Sequence, residues 1–447
     1  MANTSELRSE IRAIALPVIL SNMAIVLFET VNVFWLGRLG RDVVAGIGAA
    51  SFITWMIFSS TNLTSRGTTT FISQFFGKKE LGECREVAKE GLVLSLLLSL
   101  VLLVVLLPLL PFLLDMMSLK GEVWQSAFDY LFIFTLGLPS IILFTVTGNI
   151  AIAYGDAKLS TRTLLVSLLI NAILDPFLIF GWCGLPAMGV KGAAIAWIFA
   201  EIVGLALRLA ILVKSGYLEI SGWSKAFNFP RWASMVKMGW PPTASDMIFS
   251  MVYPLLTSYI VSFGSAPLAA LNVCHRIEGI PYFICMGFSA AASTVIAQRI
   301  GAGQPEQAMR AYRMNLRSIT LALILPSLAF VFIPGPLISL FINDPAVVAV
   351  GCDYLRIIGI FEVFLGWEIM TEGAFGGTGN TLPPMLIRMP LTLARIPLAA
   401  FLGGFLGMGT NGIWLALSLT TCLKGLAIVF WFLKGRWSRL KIIQSLS

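Results

Sequence analysis

The chain has 447 residues, of which 57% are hydrophobic and only 12% charged, with a mean hydropathy of +0.87. Soluble domains carry about 25% charged residues, so this composition excludes a soluble globular protein and directs the reading to membrane spans. A net charge of +8 and a pI near 9.3 would suit a nucleic-acid binder, but in a membrane chain they fit Lys- and Arg-rich cytoplasmic loops, and no nucleic-acid partner is expected.

A spanning helix needs about 20 mostly apolar residues. Twelve stretches qualify, at 11–36, 43–70, 91–114, 130–154, 163–182, 189–213, 239–263, 268–298, 316–341, 352–376, 385–407 and 411–433. The first is long and contains Glu29, so it reads as a retained span and not a cleaved signal. Prolines inside the spans (Pro17, Pro139, Pro176, Pro241, Pro254, Pro281) are tolerated where neighbouring groups satisfy the freed backbone. An even number of spans puts both termini on one side. With the termini cytoplasmic, that side holds most of the cations, among them Arg8, Arg12, Lys78, Lys79, Lys158, Arg162, Arg231, Arg310, Arg313, Arg388 and Lys434. The other side holds only Arg38, Arg41, Lys120 and Lys191. The bias predicts a multi-pass protein of the cell (inner) membrane with both termini cytoplasmic.

Shifting the sequence by 224 residues superposes landmarks in order: Pro17 on Pro241, Ser21 on Ser245, Gly40 on Gly264, Gln74 and Gly77 on Gln298 and Gly301, Tyr130 on Tyr354, and Gly155 on Gly379. A four-residue gap then brings Met188 onto Met408. Each identity is weak, but their collinearity over six spans signals an internal repeat. Six spans per repeat give both halves one orientation. The predicted fold is an all-α membrane protein with twelve transmembrane helices, in two parallel six-helix bundles related by a pseudo-two-fold axis along the membrane normal. The predicted partition is a first lobe at 1–214, a cytoplasmic linker at 215–238 and a second lobe at 239–447.

Ionisable residues inside the spans are the functional candidates. An Asp at a helix centre costs about 2.5–3.5 kcal/mol to insert, so Asp175 in "NAILDPFLIFG" needs a use, and Asn171 lies one turn before it on the same face. Pro176 frees a carbonyl in the same turn as a further ligand. In the second half Asp246 follows the Pro241–Pro242 pair, and span ten holds Glu362, Glu368 and Glu372. Glu368 and Glu372 share a face, where they would hold a proton between them or pair with a cationic substrate. Glu278 stands beside Arg276 and His275, as a substrate contact or as half of an internal salt bridge. The basic stretch Gly77–Gly91 reads as a solvated cytoplasmic face. One histidine, six cysteines without a C-x-x-C pair, and scattered acids argue against a metal centre or a membrane enzyme. No G-x-x-x-x-G-K-[ST] phosphate loop is present, which fits a machine driven by an ion gradient without a cofactor.

"GRLGRDVVAGIGAAS", the block from His275 to Ala311, and "EGAFGGTGNTLPPML" resemble the multidrug and toxic compound extrusion (MATE) family, as does "NAILDPFLIFG". The resemblance runs through essentially the whole chain. It implies a V-shaped, monomeric antiporter in membrane lipid that exports hydrophobic organic cations and drugs by alternating access, driven by H⁺ or Na⁺. The same superfamily includes flippases for lipid-linked precursors, which is the alternative reading. That reading predicts a strongly cationic groove, whereas more buried acids than buried bases are expected here. Many relatives carry an amide and then an acid in the first span. Here the order is reversed, with Glu29 in the amide's place and Asn32 in the acid's place. The resemblance therefore implies a first-lobe ion or proton site of Glu29, Asn32, Asn171 and Asp175, with Na⁺ at Glu29, Asn171 and Asp175 the one metal admitted. Asp246, Glu278, Glu368 and Glu372 are left as the substrate site or second-lobe ion site.

Overall fold

The computed structural model describes residues 4–435, and every regular element among them is helical. In chain order these are α1 (Thr4–Gly37), α2 (Arg41–Ser60), α3 (Asn62–Gly77), α4 (Leu81–Met116), α5 (Gly121–Leu136), α6 (Leu138–Ala153), α7 (Ala157–Phe180), α8 (Val190–Lys214), α9 (Phe229–Val261), α10 (Ser265–Gly301), α11 (Pro305–Phe332), α12 (Pro334–Ser339), α13 (Pro345–Thr378), α14 (Leu382–Leu393), α15 (Arg395–Ala399) and α16 (Gly409–Leu433). Ten helices among the described residues are long and apolar enough to cross a membrane, and the pair α5–α6, bent by 59°, makes an eleventh. The remaining expected span lies in α13, which is 34 residues long but contains Asp353, Arg356, Glu362, Glu368 and Glu372.

The repeat is visible in the helix ends. The α2–α3 pair runs from Arg41 to Gly77, and α10 runs from Ser265 to Gly301, both bounds displaced by 224. The repeated glycines have a backbone reason: Gly40 and Gly264 precede these helices at φ 138° and 114°, and Gly155 and Gly379 turn the chain at φ 89° and 78°. A Cβ disfavours these conformations. The repeats differ in continuity. The first breaks at Thr61 and Gly137, where the second runs unbroken through α10 and α13.

The chain packs as two compact units. One is Leu20–Gly239, and the other joins the chain before Leu20 to the chain from Trp240 onward. These are the first and second unit. Both crossings lie inside continuous helices, α1 and α9, within three residues of the repeated Pro17 and Pro241. This division differs from the expected 1–214, 215–238 and 239–447. The opening turns of α1 pack with the later half, where Glu10 pairs with Arg299 at 2.5 Å and Ala15 and Ile19 lie against Gly287. The linker belongs to the first unit because α4 binds it. Arg85 Nε donates to Gly216 O at 2.9 Å, Lys89 Nζ to Ser221 O at 2.9 Å, and Arg231 pairs with Glu83 and Glu90 at 3.0 and 3.2 Å. Tyr154 adds a bond to Tyr217 O and stacks on its ring at 4.3 Å. The Gly77–Gly91 stretch is therefore a docking face for the linker: Lys89 and Glu90, read from sequence as solvated, are 1% and 2% exposed.

Within each unit small residues let helices approach, which is how membrane helices pack without a hydrophobic drive between them. Gly373 and Gly377, one turn apart on α13, lie against the backbone of Ser289 and Ser293 on α10. Large apolar side chains such as Leu325 and Phe405 are more than 70% exposed (75% and 81%), as suits a surface facing lipid.

Candidate functional site

In the first unit, α7 holds Asn171 and Asp175 one turn apart, 3% and 0% exposed, and Asn171 Nδ2 donates to Asp175 Oδ1 at 3.4 Å. The amide thus spends its donor on the acid and leaves its oxygen open. Asn171 Oδ1, Asp175 Oδ2 and, on α1, Asn32 Oδ1 are all buried with no hydrogen-bond partner among the described residues. The helix continues through Pro176, which removes the ladder donor to the Ala172 carbonyl in the same turn. Glu29 is exposed, unlike Asp175. Tyr130 on α5 lies in the field of both Asp175 and Glu29. Two amide oxygens and two carboxylates, with no Lys, Arg or His nitrogen within 4.0 Å of either carboxylate among the described residues, make a set chemically suited to a proton or a hard monovalent cation.

The first unit also contains a buried cation that the sequence reading passed over. Arg208 on α8 is 2% exposed and donates to Thr163 Oγ1, Phe144 O and Ser160 O at 2.7, 2.5 and 3.0 Å. Its guanidinium lies 3.8 Å from the centre of the Phe144 ring. It ties α6, α7 and α8 together and so steadies the helix that presents Asp175.

The second unit meets its acids with cations. Arg388 on α14 reaches Asp246 at 2.8 Å, Glu372 at 3.4 Å and Glu368 at 4.0 Å, and Lys424 on α16 reaches Glu368 at 2.8 Å. Glu368 and Glu372, expected to share a proton, instead share Arg388. Arg388, counted above with the cytoplasmic cations, lies inside a helix with its side chain 20% exposed. Arg395 and Lys424 are 7% and 3% exposed, and Arg395 donates to Thr420 and Thr421 at 3.0 and 2.9 Å. Glu278 does not bridge to Arg276, which is exposed, because residues two apart on a helix point to different sides. Its Oε2 accepts the Tyr354 hydroxyl at 3.1 Å, while His275 is bonded to Tyr253.

The MatE family profile matches residues 17–177 and again 241–401, two stretches that begin 224 residues apart (241 less 17). The chain belongs to the MatE family. Its members are transporters and not enzymes. The chain is 26% identical over 443 residues to a probable multidrug resistance protein NorM of Thermotoga maritima, covering 98% of this chain and 95% of the relative. It is 25% identical over 418 residues to an FAD transporter of Shewanella oneidensis, covering 93% and 92%. The fold matches the Vibrio cholerae MATE transporter VcmN in its bent form, with a TM-score of 0.89 at 20% identity over 97% of each chain. It also matches a MOP superfamily transporter from Pyrococcus furiosus, with a TM-score of 0.87 at 20% identity over 97% of each.

For this MatE transporter, the rule that flagged the acids would also have found Arg208, Arg395 and Lys424, each a base within an apolar run. Tyr130 had a fainter signal, its repetition at Tyr354. The docking of the linker on α4 had none, because its partners are more than 120 residues apart, as with Arg85 and Gly216 (131).

Proposed function

We propose that this MatE chain is a secondary active antiporter in the cell membrane, with both termini cytoplasmic, exporting hydrophobic organic cations or drugs in exchange for H⁺ or Na⁺. The observation that supports ion coupling is the first-unit set: Asp175 Oδ2, Asn171 Oδ1 and Asn32 Oδ1 are buried and open, and among the described residues no Lys, Arg or His nitrogen lies within 4.0 Å of the Asp175 carboxylate. A proton or Na⁺ entering past the exposed Glu29 would relieve that burial, and its loss would restore it. The membrane potential contributes about 2.3 kcal/mol per elementary charge per 100 mV to such an entry. The NorM relatives support the drug substrate. No cofactor enters the scheme, and the chain acts as a monomer.

A second reading has its own support. Arg388, Arg395 and Lys424 place three cations in the interior of the second unit, and one relative is an FAD transporter, so the cargo would be an anion. Reconstitution in vesicles separates the two. Efflux of a fluorescent organic cation under an imposed pH or Na⁺ gradient is the expected result. Transport that needs ATP with both gradients collapsed would sink the antiport reading, and gradient-driven efflux of FAD but not of organic cations would replace the substrate.

A further inference from the structure

The linker that docks on α4 exposes large apolar side chains. Ile220, Trp223, Phe227 and Phe229 are 70%, 40%, 57% and 69% exposed. Other turns on the cation-rich side of the chain are built differently: 78–80, 302–304 and 379–381 hold no large apolar residue. An apolar cluster of this kind outside the spans marks a surface that something covers.

Hydrogen bonds fix the level at which the cluster sits. Arg85 Nε donates to Gly216 O and Lys89 Nζ to Ser221 O, both at 2.9 Å, and the Tyr154 hydroxyl donates to Tyr217 O at 2.9 Å. Trp223 opens a 3₁₀ turn, Trp223–Ala226, that packs on α4 with Ala226 fully buried. Phe227 and Phe229 flank the ring of Trp232 on α9 at 5.8 and 5.2 Å. The loop is thus held on α4 and at the opening of α9. Further along α4 the exposed side chains are those of a lipid-facing stripe: Leu96, Leu97, Leu100, Val101 and Val104. Lys89, which holds Ser221, stands seven residues before Leu96 (96 less 89), or about 10 Å along the axis at 1.5 Å per residue. The headgroup zone of one leaflet is about 5–8 Å deep, outside a hydrocarbon core of about 30 Å. The loop therefore lies at headgroup height, in line with the surface that lipid already covers.

We propose that this loop is an interfacial anchor, with Ile220, Trp223, Phe227 and Phe229 entering the headgroup–acyl boundary of the adjoining leaflet. Tryptophan and phenylalanine suit that boundary, where an apolar ring meets a polar layer. The exposed Lys214 and Lys237 stand before and after the loop, placed to meet lipid phosphates. Glu219 and Ser221, both exposed and bonded to each other at 2.7 Å, keep to the aqueous side. The anchor ties the opening turns of α9 to the membrane surface, since that helix starts at Phe229.

Spin labels on the full-length protein in nanodiscs of phosphatidylethanolamine and phosphatidylglycerol read this depth without any transport. Trp223→Cys, Phe227→Cys and Phe229→Cys are labelled one at a time, with Cys183→Ser, Cys352→Ser and Cys422→Ser removing the native thiols that are exposed or half-buried. Oxygen concentrates in lipid, and a nickel chelate stays in water. The ratio of oxygen to nickel relaxation should be several-fold higher at the three sites than at a Glu219→Cys label, and lower than at a Leu100→Cys label in the lipid-facing stripe. Ratios equal to that at Glu219 place the cluster in water and overturn the anchor. Protection of the three sites from both reagents means that a protein surface covers them, which overturns it as well.

Discussion

Tyr130 and Tyr354 occupy the same place in the two repeats, and the polar groups around them differ. Tyr130 faces Glu29 and Asp175. Shifted by 224, Glu29 becomes Tyr253 and Asp175 becomes Ala399; the four-residue gap falls after them, since Met188 N bonds Leu178 O as Met408 N bonds Leu402 O. Tyr354 itself donates to Glu278, and its ring and that of Tyr253 lie against His275. One scaffold thus holds a buried acid on α7 in the first unit and an alanine in its place in the second. The repeat conserves the backbone path inside the bundle, but the polar groups it carries are free to differ, because each unit balances charge within its own packing.

Substitutions test this contrast. The largest effect is expected for Asp175→Asn, which removes an acid that meets no cation within 4.0 Å among the described residues. Coupled efflux in vesicles should fall at least tenfold, about 1.4 kcal/mol in transport terms, with insertion and thermal stability unchanged. An equally active mutant would leave Asp175 a structural residue. Next is Glu29→Gln, which should lose coupling, while the double change Glu29→Asn with Asn32→Asp should recover part of it, because residues three apart share a helix face. A fully active Glu29→Gln protein would detach Glu29 from the site.

Stability should also separate the units. Arg208→Leu strands three acceptors in the first unit and should cost on the order of 3 kcal/mol. Arg395→Leu removes donations to two threonine hydroxyls and should cost roughly 2 kcal/mol, both read by thermal unfolding in detergent. Reversal of that order would mean that Arg395 does more than bond Thr420 and Thr421. Arg388→Met removes the cation shared by Asp246, Glu368 and Glu372, and should make the second unit resemble the first. Binding of organic cations, measured calorimetrically, should tighten; weaker binding would assign Arg388 to an anionic cargo. The smallest effects belong to the surface clamps. Arg231→Gln leaves the buried Glu90 unpaired and should cost on the order of 2 kcal/mol, whereas Arg299→Gln breaks a more exposed pair with Glu10 and should cost less than about 1 kcal/mol.

The acids were legible in the sequence because a carboxylate in an apolar run is expensive wherever the run packs. Asn171 beside Asp175 followed from helical spacing alone. The role of Glu368 and Glu372 did not: spacing put them on one face, but Arg388 and Lys424 arrive from α14 and α16, 16 and 56 residues away along the chain (Glu372 to Arg388, Glu368 to Lys424). Glu278 was read against its sequence neighbour Arg276, while its partner is Tyr354, 76 residues on.

The membrane environment, the all-helical class, the repeat at an offset of 224 and the acids that need a use follow from the amino-acid order alone. These rest on composition, period and transfer cost, which are local or additive along the chain. Helix packing sets which acids acquire a cation among the described residues. It also decides that the linker docks on α4, and that the packing units divide inside α1 and α9 beside Pro17 and Pro241. Charge balance in a dry interior depends on which side chains come within about 4 Å, and at that range an attraction is strong enough to outweigh the cost of burial. Such proximity is set by helix packing, and no local pattern in the chain encodes it.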